Sequence, residues 1–144
     1  MPAECTFCQI VAGELPADLV YEDDQTVVFM DLNPATTGHM LVVPRVHVAD
    51  VMTAGDDVWL AVAATAKRMA EWVSGALDAG GVDLVQANSD GTVGAQTVFH
   101  LHLHVLPRYE DDKLGGWWTP QTADTREIGR VAERLIAYGR RRVG

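Results

Sequence analysis

The chain has 144 residues, 48% of them hydrophobic, and a formal net charge of −9; this fits one ordinary domain over residues 1–144, long enough to bury a core without staples. The acidic balance argues against binding long nucleic acid, whose phosphates are held mainly by clustered Lys and Arg, but leaves room for one bound nucleotide. Met1-Pro2-Ala3-Glu4-Cys5 lacks the basic and apolar regions of a leader, and no apolar run approaches the roughly 20 residues that cross a bilayer, so a cytoplasmic chain without membrane contact is expected.

Thr6 to Ala12 is a short, mostly apolar stretch closed by Gly13, a helical turn by composition, after which Pro16 forces the chain to extend. Leu19-Val20-Tyr21 and Thr26-Val27-Val28-Phe29-Met30 are β-prone runs separated by Glu22-Asp23-Asp24-Gln25, the pattern of a hairpin. Asn33-Pro34 marks a turn, and His39-Met40-Leu41-Val42-Val43 reads as a third, buried strand stopped by Pro44. From Asp56 to Leu77 the residues Val58, Val62, Met69, Val73 and Leu77 recur at helical spacing among alanines, giving a long helix ended by Gly80-Gly81. Val82 to Ala87 offers a fourth strand, a polar loop runs from Asn88 to Gln96, and a fifth strand follows at once.

Near the end, Leu114-Gly115-Gly116-Trp117-Trp118 is a glycine-hinged aromatic loop, either a hydrophobic plug on the sheet or part of an interface. Asp124-Thr125-Arg126-Glu127 has the form of a capping box, and Ile128, Val131, Leu135 and Tyr138 mark a terminal helix. Arg126, Arg130, Arg134, Arg140, Arg141 and Arg142 read as its solvated face rather than as a phosphate site. Strands adjacent in sequence, joined by short links and accompanied by two helices, predict an α+β fold: an antiparallel sheet of about five strands covered on one face.

The fifth strand carries the chemistry. His100-Leu101-His102-Leu103-His104-Val105-Leu106 alternates strictly, so on a strand all three imidazoles project from one face about 6.6 Å apart, with the leucines turned into the core. Three readings are open: a polar sheet face that happens to use histidine, a zinc site on the triad itself, or nucleophilic catalysis on phosphorus. Imidazole is largely neutral at pH 7, so one ring can attack while a neighbour stabilises phosphoryl charge or serves the leaving group.

The segment Gln96-Thr97-Val98-Phe99 followed by the three alternating histidines resembles the signature of the histidine triad (HIT) family. The likeness extends upstream through Tyr21-Glu22-Asp23-Asp24, Phe29-Met30-Asp31-Leu32 and Gly38-His39-Met40-Leu41-Val42-Val43-Pro44, covers nearly the whole chain, and is strongest to the short prokaryotic members. The resemblance implies a HIT fold with a long central helix and a C-terminal helix. It also implies that His102 attacks the α-phosphorus to give a nucleotidyl-histidine that water hydrolyses, with the backbone carbonyl of His100 orienting His102 and with His104 and His39 against the phosphate or leaving group.

By the same resemblance Asp31 meets the ribose hydroxyls, for which the alternative is a turn-initiating Asp, and Phe7, Phe29 and Leu32 form the slot around the base, where each would otherwise be core. Asn88, Gln96 and Thr97 stand near the scissile bond, and Gly94 lets backbone amides approach phosphate. The loop is one residue longer than in some relatives, which makes the alignment of Thr97 firmer than that of Asn88. Cys5-Thr6-Phe7-Cys8 has the spacing of a metal knuckle but needs partners. Relatives supply them at the positions of His47 and His100, so the likeness implies structural zinc on Cys5, Cys8, His47 and His100, with no cofactor required for the chemistry; a redox pair or two reduced structural thiols are the alternatives.

Family members are commonly homodimers whose C-terminal segments contribute to the partner's pocket, and a homodimer is expected here. An intact His104 favours hydrolysis over transfer, since the transferase branch carries glutamine there, and no second cysteine and histidine cluster follows the triad. Two hydrolytic branches remain. A purine nucleoside phosphoramidate hydrolase is favoured by size and prokaryotic likeness, and a dinucleoside polyphosphate hydrolase draws support from Pro107-Arg108 after the triad. A nucleotide-binding protein with weak or no turnover is the reading from another class.

Overall fold

The computed structural model describes residues 4–115 and 124–143, and the chain forms two compact units, residues 1–113 and 114–144. The first unit is built on a five-stranded antiparallel sheet in the order β1-β2-β3-β5-β4, with β1 Leu19–Glu22, β2 Thr26–Met30, β3 Met40–Pro44, β4 Gly81–Val85 and β5 Leu103–Arg108. The α+β class and the number of strands match the expectation. β2 and β3 pair in unbroken register from Thr26 opposite Pro44 to Met30 opposite Met40, and their valine-rich centres suit a pleated, two-sided surface.

Alternation divides the sheet into two apolar clusters. Val28, Met40, Val42, Leu101, Leu103 and Val105 meet Val62, Ala66, Met69 and Val73 of the long helix α2, Asp56–Ala76. Val27, Phe29, Leu41 and Val43 on the opposite face gather around Phe7 of the short helix α1, Thr6–Val11. The sheet is therefore covered on both faces over β2 and β3, where one covered face was expected. Thr26–Phe29 and Met40–Pro44 are accordingly buried without a break, as in a strand closed on two sides rather than one.

Two element ends also differ. α2 stops at Ala76, before the expected glycines, because Asp78 takes up a left-handed turn with φ of 54°, a conformation that Asp tolerates better than most residues. β5 begins at Leu103 rather than His100, since the N–H of Leu101 donates to the carbonyl of Val48 at 2.7 Å instead of joining the ladder. It then runs on through Pro107, past the three residues paired with β3, where a missing N–H costs little because only β4 flanks the strand. Arg108 fastens that end, donating to Asp83 at 2.7 Å and to both oxygens of Asp112 at 2.8 and 3.0 Å.

The second unit contains α3, Thr125–Val143, opened by Asp124, whose carboxylate accepts the N–H of Arg126 at 2.8 Å. Of the aromatic loop, Gly116, Trp117 and Trp118 lie outside the described residues. Among the described residues no helix is long and apolar enough to cross a membrane.

Candidate active site and metal cluster

Strand register builds the floor of the site. Phe29 stands opposite Leu41 and Leu41 opposite His104, a cross-strand row on the face toward α1. His102 lies one alternation upstream, and its ring centroid is 5.1 Å from that of His104, closer than the roughly 6.6 Å of a regular strand. Outside the ladder, the chain lets Nδ1 of His102 approach the carbonyl oxygen of His100 at 2.8 Å. A neutral ring facing that acceptor keeps its proton on Nδ1 and leaves the lone pair on Nε2.

His39 reaches the same group from the turn before β3. Gly38 precedes it with φ of +91°, a backbone conformation that strains any residue with a Cβ. Nε2 of His39 lies 2.9 Å from Nδ1 of His104 and 3.5 Å from Oδ2 of Asp31, while its Nδ1 accepts the N–H of Ala35 at 3.0 Å. Burial lowers the pKa of His39 and of His102. For His104, burial together with the neighbouring His102 and His39 pushes it down to about 4. All three rings are therefore unprotonated near pH 7.

A cavity of about 380 Å³ opens above this row, lined by His102, His104, Asp31, Leu32 and Thr97, with Phe7, Phe29, Ile10, Leu41 and Val98 as its apolar part. Phe7 stands edge-on to Phe29 and to His102, at centroid distances of 5.3 and 5.2 Å. Asp31 initiates a turn, accepting the N–H of Asn33 at 2.7 Å through Oδ1, and still offers its carboxylate to the cavity. Asn88, Gln96, His39 and His100 are not among the lining residues. Asn88 accepts the N–H of Val51 at 2.8 Å. Buried Gln96 accepts from Ser89 at 2.8 Å and donates to Ala49 and Val98 at 2.7 and 3.1 Å, bracing the loop that carries Thr97. Gly94 lies in that loop with φ of +78°.

The sequence reading missed Ile10, Leu41 and Val98. Ile10 follows Phe7 by three residues, and Leu41 has the parity of the row; both signals were available. Val98 carries no comparable signal.

Behind the floor, Cys5, Cys8, His47 and His100 offer four ligand atoms that all lie within 4.8 Å of one another. The sulfur to Nδ1 distances are 3.5 Å for Cys5 and His100, 3.3 Å for Cys8 and His47 and 3.4 Å for Cys8 and His100, and the two Nδ1 atoms are 3.3 Å apart. Tetrahedral zinc with ordinary Zn–N and Zn–S bonds requires edges of about 3.4 to 3.8 Å, so the set fits such an ion closely. Nε2 of His100 faces the carbonyl oxygen of Pro44 at 2.9 Å, which places the ring proton there and the lone pair on Nδ1, the arrangement a ligand histidine needs. The N–H of Cys8 donates to the sulfur of Cys5 at 3.3 Å. Burial, then the hydrogen bond and charge of Cys5, pushes the Cys8 thiol up to about 11; a divalent cation reverses that by holding thiolates.

The HIT domain family matches residues 12–111. The chain belongs to the HIT family. Relatives of this HIT protein include the adenylylsulfatase HINT3 of Arabidopsis thaliana, 29% identical over 96% of the chain and 68% of that protein. A zinc-bound histidine triad family protein from Mycobacterium smegmatis is 34% identical, covers 94% of each chain and has a TM-score of 0.72. A histidine triad nucleotide-binding protein from Candida albicans is 27% identical, with a TM-score of 0.84 over 96% of this chain and 99% of its own. In HIT terms the triad splits by position: His102 and His104 line the cavity, while His100 turns its ring to the cysteines.

Proposed function

We propose that this HIT protein is a nucleotide hydrolase that cleaves purine nucleotides of the nucleoside phosphoramidate type at the α-phosphate, with His102 as nucleophile. The observation that carries the reading is the held tautomer of His102: its Nδ1 faces the carbonyl of His100 at 2.8 Å, and burial lowers its pKa, so an unprotonated Nε2 is available at neutral pH. Nε2 attacks the α-phosphorus; a P–N bond forms as the bond to the leaving amine breaks, the amine nitrogen taking its proton from solvent, and water then cleaves the nucleotidyl-His102 to release the nucleoside monophosphate and neutral His102. Phe7, Phe29 and Leu32 take the base and Asp31 accepts from the ribose hydroxyls. Thr97 and His104 stand on the phosphate side, and Asn88 and Gln96 serve by holding the loop.

The zinc-bound relative and the tetrahedral spacing of Cys5, Cys8, His47 and His100 support a structural zinc that pins the N-terminus to the catalytic segment. The Pro107-Arg108 pair, on which the dinucleoside polyphosphate alternative rests as a sequence likeness, closes β5, where Arg108 is paired with Asp83 and Asp112.

Acid-quenched intact-protein mass spectrometry with an adenosine phosphoramidate tests the mechanism. A transient adduct of one nucleoside monophosphate is expected on the wild type and absent from His102→Ala, whose turnover falls on the order of 10³-fold or more. Undiminished turnover in His102→Ala overturns the mechanism. Nucleotide binding without any turnover of the wild type replaces it with a binding protein.

A further inference from the structure

His39 is 6% exposed and does not line the cavity; its hydrogen-bond contact with a residue that does is to His104. The N–H of Ala35 points at its Nδ1 from 3.0 Å, so that nitrogen holds a lone pair and a neutral ring carries its proton on Nε2. At 2.9 Å this N–H donates to Nδ1 of His104; the carboxylate of Asp31, 3.5 Å away, is beyond an ordinary hydrogen bond. His104 therefore accepts through Nδ1 and carries its own proton on Nε2. His102, whose Nδ1 faces a carbonyl, is protonated the other way round.

We propose that His39 is a positioning residue which, with the amide of Ala35, locks His104 as its Nε2–H tautomer, so that the site sets an N–H donor beside the lone pair of His102. The proposal rests on the nucleophilic reading of His102 and deepens it. The donor's target is the α-phosphate oxygen on which charge builds during attack, where a pre-oriented N–H is worth most. The pair is a fixed dipole rather than a proton shuttle, because His39 cannot take a second proton without placing it against the N–H of Ala35. The same constraint weighs against a cation on Asp31, His39 and His104, although their ligand atoms lie within 4.8 Å of one another: a metal on Nε2 of His39 would require the ring proton on Nδ1.

Long-range ¹H–¹⁵N correlation spectra of the histidine rings near pH 7 read the tautomers directly. The wild type is expected to show His104 protonated on Nε2 and bare on Nδ1, with His102 reversed. In His39→Ala, His104 becomes a mixture of tautomers, and kcat for the phosphoramidate falls about 10- to 100-fold with KM little changed. His39→Gln, whose amide N–H stands where Nε2 stood, restores the Nε2–H form and most of kcat. A wild-type His104 that is protonated on Nδ1, or doubly protonated near pH 7, overturns the proposal, as does an unaltered His104 tautomer in His39→Ala. The ring spectra do not depend on turnover, so loss of the nucleotidyl adduct would sink the catalytic reading separately from the tautomer assignment.

Discussion

A carboxylate beside an apolar slot is costly unless polar groups come to meet it. Asp31 uses Oδ1 to accept the N–H of Asn33, and Oδ2, 3.5 Å from His39, retains capacity for a ligand's hydroxyls. Asp31→Ala is therefore expected to raise KM by roughly 10- to 100-fold, the worth of a hydrogen bond to a charged acceptor, with a smaller effect on kcat. Steady-state kinetics check this, and an unchanged KM would remove Asp31 from ribose recognition. At this scale the alternation of His100, His102 and His104 was legible, because a period of two fixes the face on any extended segment. The partners of Asn88 and Gln96 were not: Val51 and Ala49 lie 37 and 47 residues away in sequence, and no local pattern announces such contacts.

α1 places two kinds of group within six residues. Cys8 turns to the thiol and imidazole cluster and Phe7 to the cavity, while the sulfur of Cys5 accepts at the helix N-terminus. Cys8→Ser is expected to abolish bound zinc and to lower Tm by on the order of 5–10 °C, measured by elemental analysis and calorimetry. Unchanged metal content would remove zinc from this cluster. Because burial first, and then Cys5, raises the Cys8 thiol to about 11, metal uptake should also release protons. The helix Asp56–Ala76 was readable from its stripe of apolar residues, but its end was not, since the left-handed turn beyond it falls on Asp78 rather than on a glycine. The start of β5 was hidden likewise, for the bond from Leu101 to Val48 competes with the ladder only in three dimensions.

The buried, unprotonated histidines give the whole molecule a pH signature. His104 has an ordinary value of 6.5 and a folded value of about 4, and burial lowers His39 in the same sense. The unfolded chain then binds protons first as pH falls, so this stability is complete above 6.5 and is lost progressively toward about 4. Tm followed by calorimetry at constant ionic strength should be level above about pH 7 and decline through that window; a level Tm across it would contradict the buried neutral rings. The class of fold was legible at this scale from strand order and two helical patterns, whereas the closing of both sheet faces depends on where six residues of α1 come to rest. His100 joins the two regions of the chain through different atoms. Its carbonyl, which any residue possesses, serves His102, and its ring, which only histidine possesses, serves the cysteines. The first histidine of the triad thus presents a backbone atom to His102 and a side chain to Cys5 and Cys8, so a substitution there would disturb the thiol and imidazole cluster while leaving the acceptor beside His102 in place.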